Sequence, residues 1–258
     1  MLLWYGIALV LTGSLSACVS QDLTILDLTH AFDEHTIYWP NNKHFHRETT
    51  AHGITEKGHW YASGTFSASE HGGTHMDAPN HFAASGISID AIPIDQFMGL
   101  AIVIDIQPQS QKNPDYTLTI SDITRWESTF GRIPPATLVL LRTGWGQYWP
   151  DKARYLGSNT PDDPATLHFP GFSGQAMRFL VHERQIRGVG IDTASIDHGQ
   201  SRDFIAHQVL SEANHYALEN IAALDQVPAT GAMIYSLPIK IKDGTGGPVR
   251  ILAMIPAH

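Results

Sequence analysis

Short, unbroken apolar runs punctuate the chain at residues 100–106, 136–141, 188–191, 232–237 and 249–255. Their β-branched, continuous character predicts strands covered on both faces. Residues 61–69 alternate instead, as a half-exposed strand does. Between these runs the apolar spacing becomes helical. It predicts helices over 121–130, with Ser121 as N-cap, and over 203–213. A third is predicted over 173–183, where Ala176, Met177, Leu180 and Val181 share one face. Strands mixed with helices along the whole chain predict an α/β domain. The Pro- and Gly-rich stretches at 108–114, 161–170 and 242–248 read as loops on its rim.

The first seventeen residues stand apart. They carry no charged side chain, and their apolar core at 2–11 is too short to span a bilayer as a helix. The pattern matches a signal-peptide h-region, although its n-region lacks Lys and Arg. Leu15-Ser16-Ala17-Cys18 resembles the lipobox of bacterial lipoproteins, in which the Cys is lipidated and becomes the first mature residue. The expected organisation is therefore a lipoprotein signal peptide at 1–17 and one folded domain at 18–258. The expected location is extracytoplasmic, periplasmic or cell-surface, with membrane contact only through a lipid anchor at Cys18.

Composition narrows the chemistry. The chain has 258 residues, 25 acidic against 16 Lys and Arg, and a net charge of −9. With no basic patch, nucleic-acid binding is not expected. There are 15 His and a single Cys. An intramolecular disulfide is impossible, as is a zinc site built from several thiolates. Any transition metal must be held by His, Asp and Glu.

The segment Glu70-His71-Gly72-Gly73-Thr74-His75-Met76-Asp77-Ala78-Pro79-Asn80-His81 places three His and one Asp within eleven residues. His75 and Asp77, two apart, point the same way from an extended backbone. Gly72 and Gly73 allow a bend that folds His71 back beside them, and Pro79 prevents a helix from running through. Three nitrogen and oxygen ligands on one bent loop suit zinc or manganese with open coordination positions. His207 and Glu219 are less telling. Twelve residues apart, on one straight helix they would lie about 18 Å apart and face different directions. Spacing alone leaves them either as an ordinary helix His and surface carboxylate, or as ligands joined by a turn near Asn214-His215.

His71-x-Gly73-Thr74-His75-x-Asp77-x-Pro79-x-His81 reproduces the H-x-G-T-H-x-D-x-P-x-H motif of the metal-dependent cyclase family, which includes bacterial kynurenine formamidases and isatin hydrolases. Segments 26–30, 38–40, 140–145, 169–173, 190–197, 207–220 and 248–250 resemble other family blocks. The resemblance implies a swivelling β/α/β-type fold with a mixed sheet. It implies a first metal on His71, His75 and Asp77, with Asp77 bridging to a second held also by His207 and Glu219. It also implies His81 as general acid and base, and a homodimer or homotetramer with sites near subunit interfaces. One or two ions per chain, zinc or manganese, would then activate a water to attack the amide C–N bond of a small aryl formamide or cyclic amide. Metal can bring the pKa of water from about 15.7 to near 7.

Trp39, Phe45, Trp60 and Trp145 are candidates to wall an aromatic substrate pocket, or else to pack in the core. An isatin- or lactone-type external substrate sits more naturally with an exported enzyme than N-formylkynurenine does. A non-catalytic metal-binding lipoprotein is the contrasting reading, favoured by the further histidines His44, His46, His52 and His59. A serine hydrolase is not supported: Gly171-Phe172-Ser173-Gly174-Gln175 lacks the second Gly of the nucleophile elbow.

Overall fold

The structure is a computed structural model, and it describes residues 23–256. The signal-type segment and Cys18 lie outside the described residues. Along the chain run β1 (Leu23–Asp27), β2 (His46–Ile54), β3 (Trp60–Ser67), β4 (His75–Asp77), β5 (Met98–Asp105), α1 (Gln107–Ser110), β6 (Thr117–Leu118), α2 (Ile120–Phe130) and β7 (Leu138–Arg142). They are followed by α3 (Lys152–Tyr155), β8 (Gly171–Phe172), α4 (Gly174–Arg178), β9 (Gly188–Ile191), α5 (Ile205–Glu212), β10 (Tyr216–Glu219), β11 (Ala232–Pro238) and β12 (Gly246–Pro256). Every apolar run named above falls largely on a strand, and the helical patterns fall on α2, on α4 with the π-helical turn Phe179–Glu183 that continues it, and on α5. The N-cap of α2 is Thr119 rather than Ser121. The Asp122 carboxylate accepts the Thr119 backbone N–H while the Thr119 hydroxyl accepts the Asp122 N–H, and this reciprocal cap sets the boundary two residues earlier.

Eight strands form one mixed sheet in the order β1-β12-β11-β5-β7-β9-β10-β4, and β12 also pairs with β4, so the sheet closes into a barrel. The parallel pairing of β5, β7 and β9 accounts for three of the unbroken apolar runs, because the centres of these strands are buried on both faces. The runs at 232–237 and 249–255 lie instead on antiparallel β11 and β12, where buried positions alternate with half-buried or exposed ones, so the expected cover on both faces does not hold there. Inside the barrel, Leu28, Met76, Val103, Leu140, Leu218, Ile234 and Ile251 form one core. Outside it, Ile102, Ile104, Val139, Leu141, Val189 and Ile191 pack under Trp126, Met177, Leu180 and Val209 of the helical layer. The half-exposed run at 61–69 falls on β3, which among the described residues pairs only with β2, in a separate hairpin.

The segment after β1 joins the barrel to the loop before β4. The His30 backbone N–H donates to Thr74 Oγ1, and the Thr74 hydroxyl donates to the Asn220 carbonyl. The His30 ring stacks on Trp149 at 4.2 Å, with its Nε2 buried and unpartnered. Burial pulls its pKa from the ordinary 6.5 down to about 4, so the folded state holds it neutral. Between those two values the unfolded chain binds a proton that the folded chain does not. Stability from this site is therefore present above pH 6.5 and is lost as the pH falls toward 4. Urea melts across this range should show that loss, and His30→Phe, which keeps the stack, should flatten it.

Candidate metal centre

Strand β4 sits between β10 and β12, and its three residues are buried. Alternation sends Met76 into the barrel core and His75 and Asp77 to the opposite face. On β10, Glu219 lies directly across from His75 and Ala217 across from Asp77. α5 supplies His207, and the chain then turns at Asn214, which has φ +57, before entering β10. Where spacing left the relation of His207 and Glu219 open, the turn brings them together, with His207 Nε2 3.1 Å from Glu219 Oε1.

The glycines before β4 fold His71 back. Gly73 has φ +58, a conformation a side chain resists, and a Cβ there would strike Phe32. His71 Nδ1 thereby comes within 2.6 Å of Asp77 Oδ1. The ring lies so close to β12 that a Cβ at Gly246 would sit 2.6 Å from His71 Cε1. Pro79 opens a single 3-10 turn that carries His81, whose ring stacks on His71 at 3.8 Å.

Each of the three converging histidines has one nitrogen committed to an acceptor outside the cluster. His75 Nδ1 donates to the Gly73 carbonyl at 2.9 Å, and the same oxygen accepts from Asn220 Nδ2. His207 Nδ1 donates to Asp197 Oδ2 at 2.7 Å. His71 Nε2 lies 2.9 Å from Thr245 Oγ1. With these protons assigned from the partners, the other nitrogen of each neutral ring directs a lone pair at Asp77 or Glu219. Those contacts are 2.6 Å for His71, 3.2 and 3.5 Å for His75, and 3.2 and 3.1 Å for His207. Acceptors facing acceptors in a buried site require a positive charge between them.

The titration directions carry the same message. Burial pulls His75 down, but Asp77 and Glu219 override it and hold it up at about 9. His207 is likewise raised against burial, by bonds to Asp197, Asp77 and Glu219. Burial and the charge of Asp77 push Glu219 up. The cluster thus gathers protons where a divalent cation would replace them. Asp77 is shared by two candidate ligand groups, one with His71 and His81 and one with His75 and Glu219. The donor set fits a divalent metal ion.

His81 is different. Among the described residues its ring has no hydrogen-bond partner, and burial and its histidine neighbours, against the pull of Asp77, hold its pKa at about 3. Above the cluster opens a cavity of about 210 Å³, walled by Ile37, Trp39, Phe82 and Phe204 and edged by Asn42 and Ser195. Of the four aromatics singled out as pocket walls, Trp39 alone lines it. Phe45 stacks on Phe66 of the hairpin, Trp60 is exposed on that hairpin, and Trp145 is buried beside Tyr155 with its indole N–H on the Tyr155 carbonyl. Each is drawn off by packing or by a strand that leaves the barrel. Phe82 follows His81 directly in the chain, whereas nothing in the local pattern at Phe204 marks it as a wall.

In the sequence Asp197 stands only at the end of the family-like block 190–197, with no role of its own. It accepts the Ala206 and His207 backbone N–H groups, capping α5, while holding the His207 ring. Asp197→Ala should lower metal affinity about 10- to 100-fold in chelator competition, and a wild-type affinity would remove Asp197 from the site.

Residues 26–198 match the Cyclase family model. The isatin hydrolase of Roseibium aggregatum is 30% identical over 95% of this chain and 97% of its own length. The kynurenine formamidase of Salinibacter ruber is 27% identical over 88% of this chain and 96% of its own. Among solved structures, isatin hydrolase A from Labrenzia aggregata bound to benzyl benzoate superposes with a TM-score of 0.83 at 38% identity, covering 91% of this chain and 94% of that one.

Proposed function

The chain belongs to the Cyclase family and is a hydrolase of non-peptide C–N bonds, and we propose that its substrate is a neutral cyclic aryl amide of the isatin kind. The cavity wall carries this reading. Beyond the ligand cluster the lining is apolar or uncharged, with Trp39, Phe82 and Phe204 suited to a flat aromatic ring. Among the described residues no Lys or Arg lines it. An amino-acid substrate such as N-formylkynurenine would bring a carboxylate with no cationic side chain to receive it. A lactam has no such group.

His71, His75, Asp77, His207 and Glu219 would hold the metal, zinc or manganese, and the sharing of Asp77 between two ligand groups allows one ion or two. When bound, a metal would act as a Lewis acid and lower the pKa of water enough for it to give up a proton near neutral pH. The protein's part is orientation and proton traffic. The apolar walls hold the aryl ring and exclude bulk water. His81, neutral and free of any fixed partner, takes a proton from the attacking water and returns it to the leaving nitrogen. The pinned rings of His71, His75 and His207 cannot do this without giving up their acceptors.

The test is a hydrolysis screen with and without chelator. Isatin should be opened by the metal-replete protein, with kcat/KM at least about 10-fold above that for N-formylkynurenine, the order of one missed charge pairing. Chelation should abolish both activities. His81→Ala should keep its metal and lose about 10²- to 10⁴-fold in kcat. A preference for N-formylkynurenine would overturn the reading of the cavity.

We propose further that the protein is a homo-oligomer. The outer face of β1, β12, β11 and β5 is not covered by the helical layer and is apolar. Leu23, Ile25, Met98, Leu100 and Leu237 are exposed there, and the register joins them through Met254, Met233 and Tyr235. The charges of this face in that register, Asp27 and Arg250, pair with each other, and such a contiguous apolar sheet face is self-complementary to a second copy related by a two-fold axis. Light scattering should report a dimer or larger species, and Ile25→Glu with Leu100→Glu should shift it toward monomer. A monomeric wild-type protein would refute the assignment.

A further inference from the structure

Three ligand histidines converge, but they are not held alike. His75 stands on β4 and His207 on α5, whereas His71 comes from the loop before β4 and is the most exposed of the three. Its outer nitrogen meets neither a backbone carbonyl nor a carboxylate. It meets a hydroxyl, Thr245 Oγ1, at 2.9 Å.

A hydroxyl can donate or accept, so by itself it does not decide which imidazole nitrogen carries the proton. Glu70 removes the ambiguity. Its Oε2 accepts the Thr245 backbone N–H at 2.9 Å and the Thr245 hydroxyl at 2.6 Å. The single hydroxyl proton is thereby committed to Glu70, and toward His71 the Thr245 oxygen can only accept. The surrounding backbone leaves the pair little room. The Ala78 N–H donates to the Thr245 carbonyl at 2.8 Å, tying this loop to the end of β4. A Cβ on Gly244 would sit 3.2 Å from Glu70 Oε1, and one on Gly246 would strike the His71 ring.

We propose that Glu70 and Thr245 form a clamp that keeps the proton of His71 on Nε2 and so presents Nδ1 as the ligating nitrogen. The inference rests on the metal-centre reading above. Glu70 and Thr245 are positioning residues: they act through His71 and touch no reacting atom. The clamp spans 174 residues of chain between the His71 and Thr245 positions, and it uses the β12–β4 closure of the barrel to place the hydroxyl. Removing it frees the ring to exchange tautomers and to rotate, which weakens the metal site without removing a ligand.

Two measurements test this. Chelator competition on the purified protein, with zinc as the probe, reads affinity. Thr245→Val keeps the shape and deletes the hydroxyl, and should lose about 10- to 100-fold, the usual cost of losing an outer partner of a ligand histidine. Thr245→Ser should restore affinity to within about 3-fold, since it retains the hydroxyl. Adding Glu70→Ala to Thr245→Val should cost little more, because the two act in series. Nitrogen-15 imidazole spectra, with the His71 signals identified by their loss in His71→Asn, read the proton directly. In both the zinc-loaded and the metal-free wild-type protein, Nε2 should carry a proton. A neutral His71 with its proton on Nδ1 alone would overturn the clamp without any variant having to fold. Unchanged zinc affinity in Thr245→Val would also overturn it. A wild-type protein that binds no zinc or manganese would instead strike the metal-centre reading, while the metal-free spectrum would still decide the clamp.

Discussion

Two buried carboxylates, Asp77 and Glu219, set the terms for everything around them. Taking such charges out of water costs several kcal/mol each unless a positive group is supplied. Among the described residues the obvious counter-charges, Lys and Arg, are absent from the cavity lining that contains them. Three imidazoles are present instead, each turned so that its proton is spent elsewhere. The fold therefore concentrates negative potential and lone pairs at one point and leaves the balancing charge to a metal ion. In its absence the same demand shows itself as protons drawn onto His75 and His207.

Meeting that demand depends on β4, a strand only three residues long. So short a strand could not hold two ligands rigidly by itself. It is flanked by β10 on one side and β12 on the other, which places Glu219 opposite His75 and brings Gly246 opposite Asp77. Closing the sheet through β12 is thus more than a way of burying an edge. It is what allows His71 to pack close against Gly246 and reach Asp77.

The contrast between what was legible in the sequence and what was not follows from chain distance. Residues 71–81 could be read because ligands, bend and proline are contiguous, and strand alternation with a glycine bend suffices to bring His71, His75 and Asp77 together. The strands buried on both faces could be read from their unbroken apolar runs. β4 and β10 could not, since a three- or four-residue strand containing His, Asp or Glu has no apolar signature. His207 and Glu219 gained weight only from the family resemblance, because the turn at Asn214 joins elements whose periods differ. Asp197, Glu70 and Thr245 act through hydrogen bonds to residues distant in the chain or across a turn, and polar residues near turns and loops are common without such a role. The aromatic walls illustrate the opposite error. Trp145 and Trp60 look like pocket residues by type, but one is drawn into a core beside Tyr155 and the other leaves on the β2–β3 hairpin.

The four histidines around Asp77 finally divide by how they are held, which matters more than how many there are. A ligand must keep one tautomer through the reaction, so its second nitrogen is best tied to a group that can only accept. Gly73 O and Asp197 meet that condition directly, and Thr245 meets it because Glu70 has taken its proton. A proton carrier has the opposite requirement. It must exchange its proton without breaking a structural bond, and His81, stacked on His71 but bonded to nothing among the described residues, satisfies it. The same residue type thus serves two incompatible tasks within one short segment, separated by what lies behind each ring. The apolar wall above them takes no part in that division. It can change to suit a different aryl substrate while the pinned rings and the free one stay as they are.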